Sequence, residues 1–274
     1  MLRTEKRAAL EDTVARWKAA GQRVAFVPTM GALHEGHLSL VRLAKQHAER
    51  VVVSIFVNPA QFAPHEDFGS YPRTLEADLT KLQHAGVDLA YTPLADEIYP
   101  KGQDSDIKAG EAAKGLESDF RPHFFDGVVN VVARLFEQVK PDIAIFGEKD
   151  YQQLKVVEEL VQTLGLPIEI IGAPIARDAH GLALSSRNAY LSAEELAIAR
   201  KLNVILRKES PTPSSRPTAG GGEILRSLDY ARDDIKEALL EAGFDKVDYV
   251  EERWGRKLAA AWLGKTRLID NIEI

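Results

Sequence analysis

Residues 24–37 read VAFVPTMGALHEGH, and this stretch determines how the rest of the chain is organised. Its first four residues are apolar and end at Pro28, which predicts a short strand buried on both faces. The following residues are dense in Pro, Gly and His, and a helical pattern begins directly afterwards at Leu38. Ligands of open α/β sheets bind beyond the carboxyl ends of strands, so this turn is the expected position of a site.

The same alternation of strand and helix continues through the first half of the chain. Further apolar runs that predict strands lie at 51–57, 89–91, 143–146 and 168–171. Helical patterns lie between them at 38–50, 75–85, 128–139 and 151–164. Strands that alternate with helices predict an α/β fold with a parallel sheet and right-handed crossovers.

The pattern changes in the second half, where a small α+β domain is predicted. Its elements are two helices, 193–207 and 223–242, and two strands, 247–250 and 267–274. We therefore divide the chain into domains at 1–176 and 177–274. Residues 209–222, ESPTPSSRPTAGGG, predict a flexible surface linker because Pro, Ser and Gly dominate them.

Composition limits the classes of protein to which the chain can belong. Its 274 residues are 45% hydrophobic and 28% charged, which is ordinary for globular proteins. With 35 Lys and Arg against 41 Asp and Glu, the net charge of −6 argues against nucleic acid as the main partner. The absence of cysteine excludes disulfides, thiolate nucleophiles and cysteine-ligated metal sites. No apolar run reaches the ~20 residues of a spanning helix and the N-terminus is charged, so we expect a cytoplasmic protein with no membrane partner.

Three kinds of site compete for the turn at 28–37. A zinc-binding H-E-x-x-H helix needs histidines at i and i+4, whereas His34 and His37 are three apart and position 38 is Leu. A phosphate-binding loop needs Lys and a hydroxyl after its second Gly, where this chain has His37 and Leu38. The third is a helix N-terminus near Gly36, whose free N–H groups and positive dipole favour an anion. Two imidazoles there can donate to phosphate oxygens as charge develops in a transition state, or they can merely cap the helix.

Five further stretches make the chain recognisable. They are FVNPAQF at 56–62, YPRT at 71–74, FGEKDYQQ at 146–153, LSSRN at 184–188 and TRLIDN at 266–271. The H-x-G-H motif at 34–37 alone resembles the wide nucleotidyltransferase superfamily that includes class I aminoacyl-tRNA synthetases. Together with the five stretches, it resembles the pantothenate synthetase (pantoate–β-alanine ligase) family over essentially the whole chain.

The resemblance implies a fold and a reaction. The fold is a Rossmann-like ATP- and pantoate-binding domain with a smaller C-terminal lid domain, usually in a homodimer. In the reaction, the pantoate carboxylate attacks the ATP α-phosphate to give pantoyl adenylate and pyrophosphate, and the amine of β-alanine then expels AMP. Mg²⁺ is expected because ATP is a substrate, and Asp78, shortly after YPRT, is the candidate ligand for it.

The resemblance also implies roles for individual residues. His34 and His37 contact the ATP phosphates, and Lys149 bridges the carboxylate and the α-phosphate. Gln61 and Gln153 bind pantoate, because a neutral amide bonds hydroxyls and a carboxylate without repulsion. The remaining residues implied in the ATP site are Met30, Gly36, Gly147, Asp150, Ser185, Ser186 and Arg187.

One stretch departs from the family pattern. The family often has Arg-Pro-Gly-His-Phe where this chain has Arg121-Pro122-His123-Phe124-Phe125, so the imidazole is displaced by one residue. Whether His123 substitutes is open. Arg121 matches the pattern, and the resemblance leaves it to support either pantoate or the dimer contact.

Two other functions stay open on the sequence alone. An H-x-G-H nucleotidyltransferase with a phosphate acceptor needs additional Arg or Lys in its acceptor pocket, whereas Gln61 and Gln153 suit a hydroxy acid. A nucleotide-sensing module that has lost catalysis does not need two histidines together with Lys149, so their joint presence argues against it.

Overall fold

The computed structural model describes residues 1–62, 68–101, 107–208 and 223–274, with backbone alone for 223–231. The chain divides into two compact units, Met1–Ala176 and Arg177–Ile274. The predicted linker, residues 209–222, lies outside the described residues. None of the described helices is long and apolar enough to cross a bilayer.

The first unit is built on a sheet of six parallel strands in the order β1-β4-β3-β2-β5-β6. Its strands are β1 (Leu2–Thr4), β2 (Val24–Thr29), β3 (Arg50–Ile55), β4 (Leu89–Tyr91), β5 (Ile143–Gly147) and β6 (Glu169–Ala173). Its helices are α1 (Arg7–Ala19), α2 (Glu35–His47), α3 (Leu75–His84), α4 (Ala95–Ile98), α5 (Glu117–Phe120), α6 (Phe124–Val139) and α7 (Tyr151–Thr163). Single 3-10 turns lie at Pro59–Gln61, Glu111–Ala113 and Glu148–Asp150.

The central strands are apolar on both sides because helices cover both faces of the sheet. Along β2, Phe26 joins a core with α1, α6 and α7, whereas its neighbours Ala25 and Val27 join a core with α2 and α3. All three side chains are fully buried. The continuous apolar runs in the sequence are therefore strands buried between two layers of helices.

The order of the strands creates a place for a site beside β2. The chain runs from β2 to β3 on one side, and later returns to pair β5 with the other side of β2. The helices that follow β2 and β5 thus begin at one edge of the sheet, on either side of a topological switch point. Open α/β sheets bind their ligands in the crevice at this point.

The second unit is a three-stranded antiparallel sheet with helices packed on it. Its elements are α8 (Ala193–Ala199), α9 (Lys201–Leu206), α10 (Glu223–Glu241), β7 (Lys246–Arg253), β8 (Arg256–Leu263) and β9 (Thr266–Glu273). A parallel α/β unit followed by a smaller α+β unit confirms the predicted fold class. The sequence prediction missed β8, because its centre, Ala259-Ala260-Ala261, has a low strand propensity.

Candidate active site

The ends of β2 and β5 carry the predicted catalytic residues to one place. β2 ends at Thr29, five residues before His34, and β5 ends at Gly147, two residues before Lys149. The two strands are parallel neighbours, so their carboxyl ends lie at the same edge of the sheet. We call this region, with Met30, His34, His37 and Lys149, the switch-point edge.

The loop between β2 and α2 has an unusual backbone. Gly31 has a φ of 82° and Ala32 a φ of 50°, so two successive residues are in the left-handed region. A Cβ at Gly31 would also lie 3.1 Å from Ile55 and 3.2 Å from the carboxylate of Asp78. This turn points the next backbone N–H groups inward, and such a concave pair of donors is a binding place for an anion.

The anion in this turn is the protein's own Asp78. Its carboxylate accepts hydrogen bonds from the backbone N–H of Ala32 at 2.9 Å and of Leu33 at 2.8 Å. It also accepts one from the Thr74 hydroxyl at 3.1 Å, and the residue is fully buried. Lys81, one turn further along α3, donates to the Leu33 carbonyl at 2.6 Å. The first turns of α3 therefore hold the loop that precedes His34.

These contacts argue against the predicted role of Asp78 as a magnesium ligand. Its Oδ2 accepts from both the Ala32 N–H and the Thr74 hydroxyl, and its Oδ1 accepts from the Leu33 N–H. Three donors face this buried carboxylate and the Lys81 ammonium lies 4.0 Å from its Oδ1, so the charge already has its partners within the protein. Among the described residues, no group of three or more His, Asp or Glu side chains is arranged to hold a metal.

We expect Asp78→Asn to lower the free energy of unfolding by about 1–3 kcal/mol, because an amide NH₂ then faces buried backbone donors. Denaturant unfolding measures the change. The control is Asp88→Asn. The Asp88 carboxylate also accepts a hydrogen bond from a backbone N–H, that of Val51 at 2.9 Å, but it lies at the opposite edge of the sheet. Equal stability of Asp78→Asn and the unsubstituted protein contradicts the proposed clamp.

The two histidines form a reciprocal cap at the start of α2. His34 is the N-cap residue, and its Nδ1 accepts from the Gly36 N–H at 3.1 Å. The Nδ1 of His37 accepts from the His34 N–H at 3.3 Å, and the two ring centroids are 4.1 Å apart. The free N–H group that was predicted at Gly36 is therefore satisfied by His34. This N–H therefore holds the His34 imidazole in place.

Both imidazoles are neutral donors. Burial is the main cause that lowers the pKa of His34 to about 4, with smaller contributions from the ammonium groups of Lys149 and Lys81. Burial also lowers the pKa of His37 to about 3, with contributions from His34 and then from the same two lysines. Because each Nδ1 accepts a backbone N–H, each ring carries its hydrogen on Nε2. Two neutral Nε2–H groups thus lie side by side, and the sequence alone had left their charge open.

Lys149 lies in the 3-10 turn between β5 and α7. Its ammonium is 3.6 Å from the Asp150 carboxylate, and the side chains are 20% and 48% exposed. A pair that is partly open to water contributes little to the stability of the fold. The charge of Lys149 opposes the protonation of both histidines, which places it with them at the switch-point edge. Lys81, which the sequence analysis did not select, acts on them in the same way.

The two predicted pantoate glutamines follow the strands on either side of β2. Gln61 ends the 3-10 turn after β3, and Gln153 lies in the first turn of α7 after β5. Both are half-buried, as is Met30 at the end of β2. Gly147 is the last residue of β5. A Cβ added to it would lie 3.9 Å from the Leu40 side chain of α2, which is an ordinary contact distance.

Two buried amides beside these glutamines were missed by the sequence analysis. Asn58 is 1% exposed, and its Nδ2 donates to the Gly127 carbonyl at 3.1 Å. Gln152 is 3% exposed; it accepts from the Glu117 N–H at 3.1 Å and donates to the Gly115 carbonyl at 3.1 Å. Both residues stand inside the stretches FVNPAQF and FGEKDYQQ, but a linear pattern cannot distinguish a buried amide from its exposed neighbour.

The departure at 121–125 has a structural outcome. His123 is exposed and has a φ of 72°, a left-handed conformation that favours the glycine of the family pattern. Its side chain makes no capping hydrogen bond to α6. Phe124 is half-buried, and the Arg121 guanidinium lies over its ring at 3.8 Å.

Ser185, Ser186 and Arg187 lie in the second unit. The Ser185 hydroxyl accepts from the Arg187 N–H at 3.2 Å and so caps the 3-10 turn Ser186–Tyr190. Asn188 donates to the Ala183 carbonyl at 3.0 Å and closes the same turn. The role of these residues at the phosphates stays a prediction.

Comparisons with known proteins show which family the chain resembles. A model of the pantoate-beta-alanine ligase family matches residues 3–273. The chain is 57% identical to a pantothenate synthetase of Mesorhizobium japonicum, over 97% of this chain and 95% of that protein. It is 52% identical to a pantothenate synthetase of Caulobacter vibrioides, over 97% and 96% of the two chains.

Solved structures show the same likeness. The crystal structure of pantothenate synthetase from Thermus thermophilus superposes with a TM-score of 0.87 at 40% identity, over 100% of this chain and 99% of that one. The pantoate-beta-alanine ligase of Francisella tularensis, complexed with beta-gamma ATP and beta-alanine, has a TM-score of 0.86 at 34% identity, over 100% and 97% of the two chains.

Proposed function

Because this chain belongs to the pantoate-beta-alanine ligase family, it joins pantoate to β-alanine with cleavage of ATP, and we propose that the switch-point edge forms the pantoyl adenylate. The observation that supports this assignment is the pair of neutral Nε2–H donors beside the ammonium of Lys149. These groups stand where an open α/β sheet binds its ligand.

In the first half-reaction, a carboxylate oxygen of pantoate attacks the α-phosphorus. A carboxylate–phosphorus bond forms, the bond to the β-phosphate oxygen breaks, and pyrophosphate leaves. His34 and His37 donate from Nε2 to phosphate oxygens on which negative charge increases. The donors are neutral and fixed by the capping bonds, so they need no proton transfer and little reorganisation.

Lys149 allows two anions to approach each other in this step. A carboxylate and an α-phosphate at ~4 Å repel by a few kcal/mol at an effective dielectric of about 20, and an ammonium between them reverses the sign of the interaction. Lys149 is held on the turn after β5, so its charge is at the edge before the substrates arrive. Asp150, on the same turn, belongs to the proposed ATP site.

The acceptor pocket is proposed to use Gln61 and Gln153. They follow the strands that flank β2, so they approach the switch-point edge from both sides. Neutral amides donate to the pantoate carboxylate and bond its hydroxyls in either direction. In the second half-reaction the amine of β-alanine attacks the acyl carbon, the bond to the phosphate oxygen breaks, and AMP leaves.

Mg²⁺ is proposed to arrive with the triphosphate as part of the nucleotide substrate. We assign no side chain to it, because the contacts of Asp78 do not suit a cation. Ser185, Ser186 and Arg187 offer hydroxyls and a guanidinium for triphosphate oxygens, and we propose that role for them. A homodimer and a cytoplasmic location stay predictions.

Pyrophosphate exchange tests this proposal. With ATP and pantoate alone, we expect labelled pyrophosphate to enter ATP, because the adenylate forms reversibly. When β-alanine is added, a heavy oxygen in the pantoate carboxylate should appear in AMP. The controls omit pantoate or β-alanine in turn. Release of ADP and phosphate would mean transfer of the γ-phosphoryl group and would overturn the adenylate mechanism.

A further inference from the structure

We propose that Arg121 is a positioning residue that fixes Gln61 for pantoate binding and that Phe124 holds its guanidinium in place. This inference rests on the proposed role of Gln61. Arg121 lies between α5 and α6, and Phe124 is the first residue of α6. This stretch of the chain departs from the family pattern at His123 and Phe124.

The turn that bears Gln61 is pressed against the start of α6. A Cβ at Gly127 would overlap the carbonyl oxygen of Ala60, so the close approach requires glycine there. The buried Asn58 amide spans the same contact: Nδ2 donates to the Gly127 carbonyl at 3.1 Å, and Oδ1 accepts from the Tyr99 hydroxyl at 2.8 Å. These contacts fix the beginning of the turn. At its end the Gln61 N–H donates to the Asn58 carbonyl at 3.3 Å, while the Gln61 carbonyl points away from these contacts to Arg121.

Arg121 contacts that end. Its guanidinium donates to the backbone carbonyl of Gln61 at 3.3 Å. The same group lies over the ring of Phe124 at 3.8 Å and is 3.6 Å from the carboxylate of Glu117. The side chains of Arg121 and Glu117 are only 18% and 8% exposed, so water weakens this pair little. A planar guanidinium can stack on a ring and donate in its own plane at the same time.

The other end of this network leads to the second glutamine. Glu117 begins α5, and its backbone N–H donates to the buried Gln152 side chain at 3.1 Å. Gln152 also donates to the carbonyls of Ala112 at 3.2 Å and Gly115 at 3.1 Å. Gln153 is the next residue on α7. One connected set of contacts therefore ties the segment that bears Gln61 to the helix that bears Gln153.

This arrangement predicts an effect on binding and not on chemistry. Without the bond from Arg121 to its backbone carbonyl, Gln61 is less ordered before pantoate binds. The free energy needed to order its side-chain amide on binding then lowers the affinity for pantoate. The cost is the same in the ground state and in the transition state, so KM rises while kcat is maintained. ATP is proposed to bind through other residues, so its KM should not follow.

The test is a double-mutant cycle with Arg121→Lys and Gln61→Ala. Lysine keeps the charge beside Glu117 but loses the planar stack and its geometry. We expect Arg121→Lys to raise the KM for pantoate about tenfold, with kcat and the KM for ATP within about twofold. In the Gln61→Ala background the same substitution should have almost no effect on the KM for pantoate, since the amide that it positions is absent.

The matched control is Arg50→Lys. Arg50 also stacks on an aromatic ring, that of Trp17 at 5.4 Å, and pairs with Asp88 at 2.7 Å, but it lies at the opposite edge of the sheet. It should change unfolding without changing the KM for pantoate. Phe124→Leu is a second variant that removes the ring and keeps the arginine, and we expect a smaller change in the same direction.

The outcomes separate the two ideas. If Gln61→Ala leaves the KM for pantoate unchanged, the proposed role of Gln61 is wrong and this inference falls with it. If Gln61→Ala raises that KM but Arg121→Lys and Phe124→Leu do not, the inference alone is wrong. If the effect of Arg121→Lys persists in the Gln61→Ala background, Arg121 acts on pantoate without Gln61, which also overturns positioning.

Discussion

We expect His34→Asn and His37→Gln each to lower kcat for adenylate formation by about 10²–10³-fold while α2 stays capped. Asparagine is a preferred N-cap residue, so it can replace His34 Nδ1 as the acceptor for Gly36 N–H. Glutamine at the third helical position can reach back to the N-cap N–H, as His37 does now. Each substitution therefore keeps the capping bond and removes the imidazole Nε2–H.

The measurement compares single-turnover formation of adenylate with ATP affinity in each variant. Donors that face developing charge act more strongly in the transition state than in the ground state, so kcat should fall much more than ATP binding. Alanine at each position is the control, because it removes both the cap and the donor. It should lower stability by about 1 kcal/mol more than the amide variants do. Normal turnover in both amide variants would mean that the histidines only cap the helix.

The fold was predictable because its determinants are local and repeated. Val51, Val52 and Val53 are almost fully buried, and a continuous apolar run of this kind has few explanations other than a strand covered on both faces. The same holds for β5. The alternation of such strands with helices then limits the topology to a parallel sheet, and the turn after β2 is placed at its edge.

The sequence could predict the arrangement of the site only for residues that are close together in the chain. His34 and His37 stand in one short motif, so their proximity follows from helix geometry. Asp78 meets Ala32 and Leu33 only in the folded chain, across 46 and 45 residues, and the sequence could not distinguish a buried anchor from a magnesium ligand. The charge of the imidazoles depends on burial and on Lys81 and Lys149, which are also distant in sequence.

We expect Lys149→Ala to abolish pyrophosphate exchange and to leave the second half-reaction at a measurable rate. In the first step an anionic carboxylate approaches an anionic phosphate, and an ammonium group reverses their repulsion. In the second step a neutral amine attacks a neutral acyl carbon, so the ammonium has less to stabilise. The two rates are measured separately, by exchange of labelled pyrophosphate and by conversion of supplied pantoyl adenylate with β-alanine.

The control for Lys149→Ala is Lys18→Ala. Lys18 also pairs with an aspartate, Asp142 at 2.9 Å, but that aspartate precedes β5 at the opposite edge of the sheet. It should leave both half-reactions unchanged, which separates loss of a surface ion pair from loss of charge at the site. Equal damage to both half-reactions in Lys149→Ala would show that Lys149 maintains the site as a whole. If Lys149→Ala impairs only pyrophosphate exchange, the Lys149 charge must act where the carboxylate and the phosphate meet. The burial and packing of Lys149 are common to both half-reactions and would affect both.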